Sequence, residues 1–475
     1  MPIPMGVSGT TGDIHRPFTE DDLLHISSPD SAAAQARGNR GNVLGFDSSV
    51  DSPLDLGQTG WGVLFASDAD PAIQEALQPL LDWRKQQVNK DGNGDDLFHI
   101  FSGPDGVKPN QTAGSWAANK GVSLSAPVSP DKGVPYYMLI VGSPERISFE
   151  FQQQLDLQWA VGRLYFDRVE DYNSYARKIV DYEKGLAPPQ SKNAVLWMPR
   201  NPLDLSTPIL AGTIGPDFLG QGNAKPLGQR QKYQVTGFVG DGQATKAKLT
   251  DIFRGNVAGA AAAPSVLFTG SHGAEWPATD PTVQHQRQGA LVTQSWVKGR
   301  PLQPNDYFAA GDIPDDAQVH GLMYFMFACF GGGCPDKDSY FLAQDGTRLP
   351  LSPAPFVASL PQALLSRGAL AVIAHVDRAF SYAFQDVMGT PQTQLIRTPI
   401  ENVMKGQPVG LAADPLSLQW GSLAAILGQA QGGNLPGMRQ PPSPVIANLL
   451  VARDDARNYV VLGDPFARLN MDAMK

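Results

Sequence analysis

Short runs of apolar residues, each bounded by Gly, Pro or polar residues, recur along most of the chain. Continuous apolar runs of this length are typical of strands buried on both faces of a parallel sheet. A first series of predicted strands lies at 61–66, 97–101, 136–141 and 161–166. A second series lies at 194–198, 233–238, 265–268, 322–327, 369–374 and 459–462. Segments of helical periodicity separate several of these runs, so the pattern predicts an α/β fold with a parallel sheet flanked by helices.

Helix boundaries and linkers divide the chain. Asp68 or Asp70, placed before Pro71, indicates a helix N-terminus, and a later polar helix is expected to stop at Gly185. The composition of EKGLAPPQ, close after that point, is typical of a linker. We predict an irregular arm at 1–57 that wraps the body or is partly loose, a smaller α/β subdomain at 58–188 and a larger one at 189–475. Because the linker is short, we expect the two subdomains to pack together.

Charge and hydropathy narrow the classes of partner. The 475 residues include 37 Lys and Arg against 46 Asp and Glu, for a net charge of −9. An acidic protein repels phosphate backbones, so we expect no nucleic-acid partner. The apolar runs are too short to cross a bilayer, and the opening MPIPMGVSG lacks the basic start and apolar core of a secretory signal. We predict a soluble, cytoplasmic protein without a membrane partner, and the oligomeric state stays open.

Cysteine and histidine usage limits the cofactor chemistry. Cys329 and Cys334 are the only cysteines, and the seven histidines are scattered along the chain. Two cysteines do not make a disulfide framework, and a zinc site needs more ligands than this. We therefore expect no metal and no organic cofactor. Cys334 precedes Pro335 with no strand before it, which favours a structural role.

The residues best suited to catalysis directly follow two of the predicted strands. SVLFTGSHG places His272 and Gly273 after one predicted strand, and HGLMYFMFACFGGGCP places Cys329 after another. In open parallel sheets ligands bind outside the carboxyl ends of the strands, so we expect both residues at one reactive edge. A thiolate is a nucleophile that an imidazole can deprotonate, and the Gly273 and Cys329 N–H groups are suited to an oxyanion hole. The pattern predicts a Cys–His peptidase.

These residues resemble the signature of the caspase-like cysteine peptidases, in which His-Gly follows one strand and Ala-Cys follows another. The wider chain resembles the gingipain type, through YYMLIVGSPERISFEFQQQLDLQWAVGRLYF, SRGALAVIAHVDRAF and YVVLGDPFARL. Phe327 and Phe330 depart from the caspase pattern itself. The resemblance implies a caspase-like fold for 189–475 and a cysteine endopeptidase that forms a thioester acyl-enzyme on peptide or protein substrates.

The resemblance also implies roles for further residues. Asp156 lies nearest to the aspartate that orients the histidine in the family, with Glu145 and Glu150 as close rivals. A substrate-pocket loop is expected after the strand at 369–374, which implies substrate contacts for Asp377, Ser381 and Tyr382. Asp377 favours a basic side chain before the scissile bond, unless the adjacent Arg378 occupies that carboxylate or itself faces the pocket and favours an acidic one.

An alternative from another class remains open, namely a catalytically silent relative that serves as a scaffold or binding module. A blocked cleft or a displaced His272 would favour this reading.

Overall fold

The computed structural model describes residues 2–16, 18–23, 33–35, 37, 50–90, 97–188, 190–259, 262–432 and 443–474. Its strands are β1 (Gly6–Ser8), β2 (Trp61–Phe65), β3 (Phe98–Phe101), β4 (Tyr137–Val141), β5 (Ala160–Leu164), β6 (Ser191–Met198), β7 (Gln234–Val239), β8 (Pro264–Gly270), β9 (Gly273–Glu275), β10 (Leu291–Val292), β11 (Tyr307–Phe308), β12 (Met323–Phe327), β13 (Gly333–Cys334), β14 (Lys337–Leu342), β15 (Arg348–Pro350), β16 (Phe356–Val357), β17 (Ala371–His375) and β18 (Tyr459–Gly463).

The α-helices of the described ranges contact the strands and one another. They are α1 (Glu20–Leu23), α2 (Leu56–Thr59), α3 (Pro71–Ala76), α4 (Gln78–Val88), α5 (Ala113–Asn119), α6 (Phe149–Leu155), α7 (Val169–Glu183), α8 (Ser206–Leu219), α9 (Lys246–Phe253), α10 (Pro281–Arg287), α11 (Ser359–Ser366), α12 (Gln394–Met404), α13 (Val409–Ala412), α14 (Asp414–Gln431) and α15 (Ser443–Arg457). Asp70 caps α3 through the Ala72 N–H, and α7 ends before Gly185, whose φ is +72°.

Ten strands form one sheet in the order β3-β2-β4-β5-β18-β17-β12-β8-β6-β7. They are the ten strands that the apolar runs predict, with ends shifted by up to three residues. Central strands such as β4 and β12 are buried along their whole length, because both faces of a sheet covered by helices exclude water. The predicted α/β class is therefore confirmed.

The two predicted series of strands meet edge to edge through the last strand, β18. β18 pairs antiparallel with β17 and parallel with β5. The first series and β18 therefore run opposite to the other five strands of the second series, and within each of these two groups the strands are parallel. The carboxyl ends of these five strands, which include β8 and β12, consequently lie at one edge of the sheet, and the carboxyl ends of β2, β4, β5 and β18 lie at the other.

A buried ion cluster fastens this junction. Arg84 of α4 donates to Asp464, directly after β18, at 2.6 and 2.8 Å, and to Glu183 at the end of α7 at 2.6 and 2.7 Å. The side chains of Arg84 and Asp464 are fully buried, and the Trp61 indole also donates to Asp464. Although burial alone would lower the pKa of Arg84, the two carboxylates raise it above its ordinary value.

Residues 2–23 of the predicted arm lie against the body where the structure describes them, while most of 24–49 falls outside the described residues. β1 adds to the small sheet β1-β9-β10-β11, and Phe18 packs on Tyr340 and Phe380. Among the helices that the structure describes, none is long and apolar enough to cross a membrane.

Candidate active site

His272 and Cys329 follow neighbouring strands of the sheet. β8 and β12 pair in parallel, with Gly270 opposite Phe327, so each of the two residues lies two positions beyond the end of its strand. A Cβ atom at Gly273 would lie 1.9 Å from the Cys329 carbonyl oxygen, so only glycine allows the two chain segments to approach this closely. The predicted adjacency of the two strand ends is confirmed.

The Cys329 thiol is enclosed in this structure. Its residue is fully buried, and the chain turns sharply after it, with Phe330 at a φ of +57°. Sγ accepts a hydrogen bond from the Ala379 N–H at 3.1 Å. Burial raises the pKa of Cys329 well above its ordinary value, although the Ala379 N–H favours the thiolate. The enclosed cysteine is therefore a neutral thiol at neutral pH.

The His272 imidazole is held by a carboxylate that the sequence analysis did not single out. Its Nε2 lies 2.8 Å from Asp204 Oδ2, and both side chains are fully buried. Asp204 also accepts the Ser206 and Thr207 N–H groups at the start of α8 and the Thr207 hydroxyl. Burial alone would raise the pKa of Asp204, but the hydrogen bonds from His272 and Thr207 lower it below its usual range.

The hydrogen bond to Asp204 determines which imidazole nitrogen carries the proton. An ionised carboxylate accepts the proton of Nε2–H, so the neutral ring keeps its lone pair on Nδ1. Nδ1 is buried and has no hydrogen-bond partner among the described residues. The Trp296 ring packs edge-on against the imidazole, with 5.6 Å between ring centroids. The arrangement supplies an oriented base with one unused nitrogen.

Asp156, which the resemblance suggests as the orienting acid, lies elsewhere. Its carboxylate accepts the Val161 N–H and the Ser417 hydroxyl. Asp156 precedes β5, and β5 is four strand intervals from β8, a separation of about 19 Å at the usual strand spacing. Asp204 follows β6, the direct neighbour of β8, which is why it reaches His272. The sequence does show that Asp204 follows the predicted strand at 194–198. It does not show that this strand lies beside β8, and without that neighbour relation Asp204 could not be assigned to His272.

The residues of the predicted substrate loop after β17 do not share one site, and Asp377 lies apart from Ser381 and Tyr382 in its contacts. Asp377 accepts the Ser339 hydroxyl and the Arg378 N–H, burial raises its pKa, and it lines a cleft of about 410 Å³ shared with Arg453 and Arg457. The Arg378 guanidinium pairs instead with Asp338 at 2.9 Å. The Asp377 carboxylate is therefore not taken up by the guanidinium of its neighbour.

Ser381 and Tyr382 make different contacts from Asp377. The Ser381 N–H and hydroxyl bond to the main chain of Ile3, so this residue holds the first segment of the chain. The Tyr382 hydroxyl donates to Asn448 at 3.2 Å.

That first segment covers the strand ends. Residues 3–8 run over the carboxyl edge, and Gly6 to Ser8 pair in parallel with Gly273 to Glu275. His15 Nε2 lies 2.5 Å from Glu275 Oε2, and the His15 ring packs against Gly6. Both His272 and Cys329 are fully buried in this arrangement.

Glu275→Gln is expected to remove an acid-sensitive part of the stability. Burial would raise the Glu275 pKa, but His15 and Arg378 lower it to about 2. A lowered pKa stabilises the fold above the unfolded value, near 4.5, and this contribution is lost as the pH falls towards 2. The free energy of unfolding, measured with urea, should be larger for the wild type than for the variant by on the order of 2–3 kcal/mol at pH 7. This difference should shrink by pH 2–3.

The control is Glu170→Gln, at an exposed carboxylate 3.7 Å from Arg168, which should change stability by less than about 0.5 kcal/mol at either pH. A stability difference between the wild type and Glu275→Gln that does not change with pH would contradict the prediction.

Within the described ranges, no group of three or more His, Cys, Asp or Glu side chains is arranged to hold a metal ion. No family model matches the chain, and no curated protein matches it in sequence. Among solved structures the chain is similar to one described as "Structure of Protease", with a TM-score of 0.46 and 14% identity, covering 86% of this chain and 78% of that one. A likeness this weak carries no argument about function.

Proposed function

We propose that the protein is a cysteine endopeptidase in which Cys329 is the nucleophile and His272 is its proton acceptor. The observation that carries the proposal is the buried Asp204–His272 pair, which leaves His272 Nδ1 with a lone pair and no hydrogen-bond partner within the described part of the chain. His272 follows β8, and the neighbouring strand β12 bears the cysteine. Buried polar groups without partners are rare and costly, and they concentrate at functional sites.

The proposed reaction follows from these groups. The Cys329 thiol gives its proton to His272, and the sulfur attacks the carbonyl carbon of a peptide. The peptide C–N bond breaks, and His272 returns the proton to the leaving amine. Water then hydrolyses the thioester, with His272 as the base. Asp204 stabilises the imidazolium formed in both steps, and the Gly273 N–H is suited to the developing oxyanion.

A second function, a silent scaffold, is favoured by one observation. The Cys329 thiol is buried, burial raises its pKa, and residues 3–8 are bound along the strand ends beside it. The Asp204–His272 pair argues against this reading, because a scaffold has no need of an oriented base. The preference for a basic residue that Asp377 implied is not carried into the proposal, because the cleft that Asp377 lines also contains the cations Arg453 and Arg457.

A peptide carrying a thiol-reactive group is expected to label Cys329 in a time-dependent way. The position is read by mass spectrometry, with Cys334→Ala as the matched control that should keep the labelling. Pre-treatment with unlabelled peptide substrate should slow the reaction, because probe and substrate compete for one cleft. Labelling confined to Cys334, or the same labelling of Cys329 in His272→Ala, would overturn the assignment.

A further inference from the structure

The main chain of the first segment is bound across the end of the strand that precedes Cys329. The Met5 carbonyl accepts the Gly273 N–H at 3.0 Å, and the Met5 N–H donates to the Ala379 carbonyl at 3.0 Å. Gly273 follows β8 and Ala379 follows β17, and β12 is the strand between them. Met5 therefore spans the end of β12, where Cys329 lies.

The residues before Met5 form a short ladder with the loop after β17. The Ser381 N–H donates to the Ile3 carbonyl at 3.1 Å, and the Ile3 N–H donates to the Ser381 hydroxyl at 3.1 Å. Pro4 lies antiparallel to Phe380, and the Pro4 carbonyl accepts the Ser206 hydroxyl. Main-chain bonds of this kind hold an extended peptide irrespective of most of its side chains.

The two residues at the centre have defined environments. The Met5 side chain is fully buried in the apolar core of the sheet. A Cβ at Gly6 would lie 2.1 Å from the His15 ring, and His15 is fixed by Glu275. The site thus accepts an apolar residue at Met5, the glycine at position 6 leaves room for His15 of the same arm, and the Met5 carbonyl already uses the N–H proposed for the oxyanion.

We propose that residues 3–6 are an intramolecular substrate mimic that closes the cleft, with Met5 in the position of the residue whose carbonyl is attacked. Closure itself follows from the contacts, whereas the position given to Met5 rests on the proposed function. The cleft then takes extended peptides with an unbranched apolar residue before the scissile bond, and Cys329 becomes accessible when residues 3–6 leave.

Met5→Asp is the direct test, because an ionised carboxylate is too costly to bury in the apolar site and should expel the segment. Alkylation of Cys329 by iodoacetamide, followed by mass spectrometry, is expected to accelerate at least about tenfold as the open fraction rises. Met388→Asp is the matched control, since Met388 is 84% exposed. An unchanged Cys329 rate in a folded Met5→Asp protein, or an equal rise at buried Cys334, would overturn closure by this segment.

A second route avoids a substitution in the core. A site-specific protease sequence inserted in the exposed turn at Thr10 and Thr11 allows residues 1–10 to be cut loose after folding. Release of the fragment should accelerate alkylation of Cys329 to a similar extent, and the melting temperature reports whether the body stays folded. A folded, cut protein whose Cys329 remains unreactive after the fragment has left would contradict closure.

The opened protein also tests the substrate class. Fluorogenic Ile-Pro-Met and Ile-Pro-Arg peptides differ only at the residue before the scissile bond. Faster hydrolysis of the Met peptide supports the apolar position, and faster hydrolysis of the Arg peptide overturns it. Accelerated alkylation of Cys329 without hydrolysis of either peptide would leave closure standing and overturn the peptidase proposal.

Discussion

Cys329→Ala is expected to lower peptide hydrolysis by at least about 10⁴-fold, because the substitution removes the thiol that we propose forms the acyl-enzyme. His272→Ala should cost nearly as much, and the double variant should be no worse than either one, since the two residues act as one unit. The rates are measured in the wild-type chain and in Met5→Asp, where the cleft is expected to be open.

Folding and activity can be separated in this series. Cys329 is small and buried, so its truncation to Ala should cost only about 1 kcal/mol of stability. Asp204→Asn keeps a good cap for α8 but no longer stabilises the imidazolium, and it should lower the rate substantially with little change in melting temperature. Cys334→Ala is the control that should retain activity. If Cys334→Ala were inactive and Cys329→Ala active, the choice of nucleophile would be wrong.

Arg84→Ala is expected to have the largest effect on stability, a loss of about 3–5 kcal/mol. The substitution leaves the buried carboxylate of Asp464 and the mostly buried carboxylate of Glu183 without their shared cation. These carboxylates join the end of β18 to α4 and α7, so the loss falls at the junction of the two strand series. Urea unfolding of the full chain, followed by circular dichroism, measures it.

The matched control is Arg168→Ala, because Arg168 is 69% exposed and contacts Glu170 and Asp171 only at the surface. Its effect should stay within about 0.5 kcal/mol. A loss below about 1 kcal/mol for Arg84→Ala would show that the cluster does not hold the junction.

Local apolar patterning was enough to locate the strands of the large sheet. A run such as that of β12 is continuous because both faces of the strand are covered, and this condition is visible in the sequence. His272 and Cys329 were found for the same reason, since each directly follows such a run. The two strands that precede these residues are neighbours in the sheet, as expected, because a single crossover connects them.

The sequence by itself thus determined the α/β class, the ten strands of the large sheet and the two strand ends that carry His272 and Cys329. Only the tertiary structure decided the order of the strands, the insertion of β18 in the reverse direction and the choice of Asp204 rather than Asp156 beside His272. It also decided that residues 3–6 lie across Cys329. The reason is physical: strand formation depends on neighbours in the sequence, whereas strand order and main-chain docking depend on pairings between residues tens to hundreds of positions apart, which leave no periodic trace in the chain.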